Sequence, residues 1–442
     1  MIPQFGEHQL STVSRVLRVV LCFVAAYVLS PLAWAQARPF AGPDLQQIYD
    51  RLLPQIEKIA IFDHHAHPGF PDDSDVDAMA APPGSAAFRE RDSNPELIAA
   101  AKALFGYPYN DLSPEHSKWL VQKKAELKKT QGNAYFSGIL DKLNIESSVA
   151  NRAMMASYLD PKRFFADAFM WPFDNRQQRA RNADEEVYIP LQEKMLHRWM
   201  QQENVAKLPA SLADYLAFVS RTLEDNQKKG GIAMKFEVAY FRSTKFGDPT
   251  REQAEDVYRR FVDGGVPSAE EYKTFQDYVF RYLVTEGGRL HLPVHIHSAV
   301  GIGDYFSLSE SGIMNLENVL RDPRYSGTTF VMIHGGYPFE HVYMESSYQE
   351  LVMYPSEFKH SLKQWLETFP DKITFGTDCF PYNDVLGAEE SYWLGVRSGR
   401  TALAAALAEM VSMGEVSEPK ALEMAKAFLH DTATGIYEGK AH

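Results

Sequence analysis

Apolar residues in this chain gather into short runs separated by longer stretches of helical pattern. Eight runs read as strands: 58–62, 145–152, 163–169, 232–240, 292–297, 328–336, 351–354 and 372–378. Their lengths and their Val, Ile and Phe content suit buried strands, and Gly-Gly pairs at Gly230-Gly231 and Gly287-Gly288 restart the pattern. Helical spacing predicts helices over 44–56, 113–130, 251–286, 316–322, 356–369, 401–413 and 418–429. Residues 68–135 carry no strand signal. Residues 174–228 are charged and helical by pattern, broken at Pro190 and Pro209. Strands alternating with helices predict a parallel sheet, and eight is the number that closes a (β/α)8 TIM barrel. The expected fold is therefore α/β, one barrel domain over 36–442, with two large and mostly helical insertions after strands 1 and 3.

The first 35 residues fall outside that domain. Arg15 and Arg18 precede an apolar run at 19–29, and Ala33-Trp34-Ala35 then forms a small-residue cleavage site before Gln36. The run is short for a membrane span. This predicts a signal peptide and an exported protein, periplasmic or secreted, with no membrane attachment after cleavage. The whole chain is 45% hydrophobic and 23% charged, which is ordinary for a globular protein. Formal net charge is −13, and it becomes −14 when Glu7, Arg15 and Arg18 leave with the signal. So acidic a body repels nucleic acid and anionic membrane surfaces. Cys22 leaves too, so Cys379 stands alone and no internal disulfide can form.

The chemistry lies at strand ends. The first run leads into Asp63-His64-His65-Ala66-His67 and stops at Pro68-Gly69. Alternation along a strand puts His65 and His67 on one face with Asp63 beneath them, and turns His64 toward the surrounding helices. The fifth, sixth and eighth runs end in His297, His334 and Asp378. Any one such histidine can simply cap a loop. Four such strand ends, in barrel order, place polar groups at the C-terminal rim where active sites of this fold form. Imidazoles and a carboxylate suit a zinc-like ion with one position open to water, whereas a closed structural site draws on cysteines. His295 lies one layer deeper than His297 and reads as a supporting or packing residue. Lys235 on the fourth strand is costly to bury alone. It either pairs with Glu237 or Asp63, or carries a carbamate that bridges two metals, and the sequence leaves both open. Arg152, Trp171, Tyr240, Arg242 and Tyr337 follow strands two, three, four and six. They are candidates to line a substrate pocket, where an arginine suits a substrate carboxylate. No G-x-S-x-G elbow, phosphate loop or HExxH helix is present.

Taken together, His65-Ala66-His67, Pro293-Val294-His295-Ile296-His297, Ile333-His334-Gly335-Gly336-Tyr337-Pro338, Phe375-Gly376-Thr377-Asp378 and the closing stretch 421–437 resemble the amidohydrolase superfamily. The branch they most resemble is the amidohydrolase-related one, which includes aminocarboxymuconate-semialdehyde decarboxylase. The resemblance covers roughly 57–440. It implies that His65, His67, His297 and Asp378 hold a divalent metal, zinc before others. It implies that His334 stands beside an activated water and that Asp378 moves its proton. Hydrolytic members with a strand-four lysine often hold two ions, so Lys235 leaves the count at one or two. The expected activity is metal-dependent hydrolysis of an amide, lactone or ester-like bond in a small molecule. Non-oxidative decarboxylation on the same ligands is the alternative, and a non-catalytic binding barrel a third. The expected partner is a small-molecule substrate, with room for a homo-oligomer.

Overall fold

A computed structural model describes residues 43–68, 87–150, 167–168, 195–240, 242–298, 307–336, 341–383 and 385–437. The chain divides into two units, Met1–Gln47 and Ile48–His442, and all that follows concerns the second. The expected signal peptide lies outside the described residues. Among the described residues, no helix is long and apolar enough to cross a membrane.

Among the described residues there are eight strands, most of them separated by helices: β1 Ile61–Ala66, β2 Ile145–Ala150, β3 Asp167–Ala168, β4 Met234–Phe236, β5 Val294–His297, β6 Phe330–Ile333, β7 Val342–Glu345 and β8 Ile373–Thr374. Every pairing is parallel. β3 through β8 form one sheet in sequence order, and β1 pairs with β2. β1 also meets the segment that continues β8. Ala66 bridges Cys379, Asp378 N–H donates to the His65 carbonyl (2.8 Å), and His67 N–H donates to the Cys379 carbonyl (2.7 Å). Residues 151–166, between β2 and β3, lie outside the described residues.

Register decides what each face carries. Lys235, His295, Val331 and Tyr343 are partners across β4 to β7, so they share one face. Met234, Val294, Phe330 and Val342, with Phe236, Ile296 and Met332, occupy the other. That second set packs with Tyr215, Phe218, Phe275, Phe280 and Leu283 in the main apolar core. These residues come from helices Leu212–Lys228 and Ala269–Leu290. The first face is closed instead by the last helix, Thr432–Tyr437, whose Ile436 meets Val331, Ile333 and Tyr343. One side of the sheet is thus a hydrocarbon layer. The other carries buried polar groups toward its C-terminal end.

The structure departs from the sequence reading in several places. Residues 351–354 are not a strand. Gln349–Val352 is a helical turn, and β7 lies earlier, at Val342–Glu345. β4 stops at Phe236, and Val238–Tyr240 turns as a 3-10 helix. Gly287 and Gly288 do not break the helix but lie inside Ala269–Leu290. A Cβ on Gly287 would stand 2.8 Å from Met234 and 2.9 Å from Val294, so the glycine lets this helix press onto β4 and β5. The long helix Ala388–Ser412 begins 13 residues before the expected 401. β1 begins later than expected and runs through His64, His65 and Ala66.

Candidate metal centre

The β1 register is broken between Asp63 and Ala66, and this irregularity reorganises the expected alternation. His64 stacks on His295 (centroids 4.7 Å apart), and His65 reaches Lys235 (Nε2 to Nζ 3.1 Å). His295 and Lys235 are register partners, so two consecutive histidines face the same side. His64 therefore does not turn to the surrounding helices as alternation had suggested. It shares a hydroxyl with His295: Tyr437 Oη lies 2.9 Å from His64 Nε2 and 2.8 Å from His295 Nε2. A hydroxyl donates once, so one ring must present N–H and the other a bare nitrogen. Burial drives His64 down to about 3 and holds His295 well below the ordinary imidazole range, so both rings are neutral. Asp63 turns away as well. It accepts from Thr377 N–H (2.6 Å), the Thr377 hydroxyl (3.0 Å) and Ser148 (2.8 Å), and neither orients His65 nor pairs with Lys235.

The donor atoms of the HxH pair converge with Asp378. His65 Nε2 and His67 Nε2 are 3.1 Å apart, and each lies beside Asp378 Oδ1, at 3.2 and 3.3 Å. Around a tetrahedral ion with ligand bonds of about 2.0–2.1 Å, neighbouring donors lie about 3.3 Å apart. The three side chains fit that edge length. His334 joins them: donor atoms of His65, His334 and Asp378 all lie within 4.8 Å of one another, and His334 Nδ1 is 3.8 Å from Asp378 Oδ2. His297 is reached through His334, its Nδ1 3.4 Å from His334 Nε2. The His65, His67, His297 and His334 side chains and Lys235 are all buried. Burial pushes Asp378 up, but His334 and His65 outweigh it and hold the carboxylate well below its usual range. Burial, aided by the Lys235 charge, holds His65 well below its own. An ionised carboxylate beside a neutral His65 is the protonation state a cation needs.

Two of these residues sit on strained backbone. His334 has φ 70° and Asp378 φ 51°, in the left-handed region that costs a non-glycine residue roughly 1–2 kcal/mol. The end of β7 supports them. His334 Nδ1 lies 3.1 Å from the Ser347 carbonyl, which only accepts, so Nδ1 carries the hydrogen there. Glu345 accepts from His334 N–H (3.3 Å), Ser347 N–H (2.9 Å) and the Ser347 hydroxyl (2.5 Å). Burial raises Glu345 to about 8. Sequence reasoning missed Glu345 and Ser347. Their signal, Val342-Tyr343-Met344 ending in Glu345-Ser346-Ser347, is short and lies beside a stronger apolar run.

The expected pocket residues fare unevenly. Arg152, Trp171 and Tyr337 lie outside the described residues, as does the side chain of Tyr240. Arg242 is engaged elsewhere. It binds Asp277 (2.7 Å) and Gln276 (3.2 Å) of helix Ala269–Leu290 and lies over Phe246, so it is not held for a substrate carboxylate.

No family model matches the chain, and no curated protein matches it. Solved structures do. A candidate metal-dependent hydrolase from Lactobacillus casei aligns over 88% of this chain and 98% of its own, at 14% identity and TM-score 0.54. Uronate isomerase from Thermotoga maritima aligns over 90% and 99%, at 12% identity and TM-score 0.56. Glucuronate isomerase from Caulobacter crescentus aligns over 92% and 97%, at 12% identity and TM-score 0.56. The chain shares the fold of these structures. At these identities the likeness speaks for the fold alone. In parallel α/β folds, ligands and chemistry sit at the C-terminal strand ends. Here those ends are the ones that bring His65, His67, His297, His334 and Asp378 together.

Proposed function

We propose that this chain is a metal-dependent hydrolase cleaving an amide, lactone or ester-like bond of a small molecule, on a closed (β/α)8 barrel. The observation that carries the reading is the triangle of His65 Nε2, His67 Nε2 and Asp378 Oδ1 at 3.1–3.3 Å. These three, with His297, would hold the cation, zinc by the chemistry of the donors. When bound, such an ion supplies Lewis acidity and lowers the pKa of an adjacent water to about 7. Asp378 offers Oδ1 to the two imidazoles and keeps Oδ2 on the His334 side, where it can take a proton from the attacking water and return it to the leaving group. His334, its Nδ1–H held by the Ser347 carbonyl, would offer Nε2 as an acceptor to the attacking water. Lys235 Nζ, 3.1 Å from His65 Nε2, is placed to enter the same centre, so a second ion held by its carbamate belongs to this proposal. Export is proposed from residues 1–35 alone. A second reading, aldose–ketose isomerisation of a sugar acid, is favoured by the fold shared with two uronate isomerases.

The test is metal quantification followed by a substrate panel. Protein purified without chelator should carry about one or two equivalents of a divalent transition metal. His65→Ala should strip it. His334→Ala should keep the metal and lose turnover by about 100-fold or more. A protein that neither carries metal nor takes up zinc or manganese would refute the centre. Turnover of uronates but not of amides or lactones would choose the second reading, and carbon dioxide release would choose decarboxylation.

A further inference from the structure

His334 is held from one short turn, and that turn is held from a distant segment. The helical turn Gln349–Val352 follows β7 and Tyr348, whose φ of 69° swings the chain into it. Residues at its start reach His334 in two places. The Ser347 carbonyl accepts the Nδ1 hydrogen (3.1 Å), and Gln349 Nε2 donates to the His334 carbonyl (3.3 Å). The turn is stiff within itself: Leu351 N–H donates to the Tyr348 carbonyl (2.9 Å) and Met353 N–H to the Gln349 carbonyl (2.9 Å). A helix this short leaves its last carbonyls to find partners elsewhere.

The partner is Arg89. It lies in the 3-10 turn Phe88–Glu90, within the segment joining β1 to β2, and is 1% exposed. Its Nη1 donates to the Glu350 carbonyl (2.8 Å) and to the Met353 carbonyl. Nε and Nη2 donate to the two oxygens of Glu96 (2.7 and 2.9 Å), and Nη2 donates also to Ser398 Oγ (2.7 Å). A guanidinium has five N–H groups, and these bonds engage all of them. The Tyr354 ring centre lies 4.9 Å from its Cζ. Asn94 fixes the backbone, donating to the Arg89 carbonyl at 2.6 Å.

Glu96 already supplies the counter-charge, so the two carbonyl bonds serve another end. Burying a cation is expensive, and an apolar side chain would fill the same space at less cost. What the planar fork adds is direction, because its donors point along fixed lines. Two of those lines end on the turn that aims His334. We propose that Arg89 is a positioning residue for His334. It clamps the C-terminal end of the turn and, through Gln349 and Ser347, keeps the imidazole as the Nδ1–H tautomer with Nε2 bare. The inference rests on the hydrolase reading only for the use to which that nitrogen is put.

The test reads the imidazole directly, by nuclear magnetic resonance of the purified full chain carrying isotope-labelled histidine. The His334 signal, assigned by its loss in His334→Asn, should report Nδ1–H. Arg89→Lys keeps the charge and loses the fork, and should broaden that signal or divide it between the two tautomers. Gln349→Leu removes only the last link and should do the same, with the double variant no worse than either alone. Ser398→Ala removes an acceptor that does not belong to the turn. It should lower the urea midpoint and leave the His334 signal as in the wild type. Four results would each overturn the proposal: a wild-type His334 in the Nε2–H form, a folded Arg89→Lys protein with the wild-type signal, effects of Arg89→Lys and Gln349→Leu that simply add, or a Ser398→Ala signal disturbed as much as that of Arg89→Lys. Should Arg89→Lys not fold, Glu96→Gln decides, since it loosens the same guanidinium without removing it: a broadened signal supports the clamp and a wild-type signal overturns it. Once a substrate is found, Arg89→Lys should lower kcat at least about tenfold with KM little changed. A His334 signal that follows Arg89 in a protein without hydrolytic activity sinks the hydrolase reading alone. Hydrolysis with a His334 signal indifferent to Arg89 sinks this one alone.

Discussion

Glu345 receives three hydrogen bonds, two from Ser347 and one from the His334 backbone, and lies against Gly376 of the segment that continues β8. A Cβ at Gly376 would overlap Glu345 Oε1 and crowd Ser347. Gly376→Ala should therefore destabilise the protein by about 1–3 kcal/mol, the usual cost of overpacking a tight interior. It should also lower turnover, because the carboxylate can yield only by disturbing His334. Urea denaturation alongside kcat checks this, and a variant unchanged in both would show that the packing is dispensable. At this scale His65, His67, His297, His334 and Asp378 were legible in the sequence because each closes an apolar run. Glu345 was not, since three apolar residues before it make too short a run to stand out. His64 was legible as a residue but not in direction, because alternation has no way of announcing the irregularity after Asp63.

Elements were legible in proportion to their length and contrast. β5, β6 and the helices Pro114–Gln131 and Pro355–Thr368 were expected within a few residues, their apolar periodicity being unopposed. β7 was lost because 351–354 is the more apolar run, yet Tyr348 and the following helical turn claim it. The last helix, Thr432–Tyr437, was read as a closing element, but its reach was not. Its Tyr437 stacks on Phe62 (5.2 Å) and carries the hydroxyl between His64 and His295. Tyr437→Phe keeps the stacking and leaves two buried ring nitrogens without that hydroxyl, at a cost of about 1–3 kcal/mol. Tyr437→Leu should cost more, since it also removes the stack. The order of the two unfolding midpoints checks the division, and equal midpoints for wild type and Tyr437→Phe would deny the hydroxyl any role.

For the molecule as a whole, burial of acids sets an unusual response to pH. Glu90 and Glu345 rise to about 7 and about 8. The unfolded chain, with ordinary carboxyl values near 4.3, loses those protons first. Below about pH 6.5 the buried neutral His64, His65 and His295 oppose this, because the unfolded chain protonates its imidazoles there; between about pH 7 and 8 the folded protein holds more protons than the unfolded one, so stability falls as pH rises. Metal-free protein should melt at lower temperature at pH 8 than at pH 7, and Glu345→Gln should flatten that slope. A melting temperature that climbs across this window would contradict the prediction. The left-handed backbone at His334, Tyr348 and Asp378 has a consequence for anyone seeking a hardier variant. Selection for heat resistance alone should favour glycine or asparagine at these three positions, relaxing the polypeptide while erasing its chemistry. A library screened only by survival would fill with robust, inert proteins, and durability gained there would be a marker of lost catalysis.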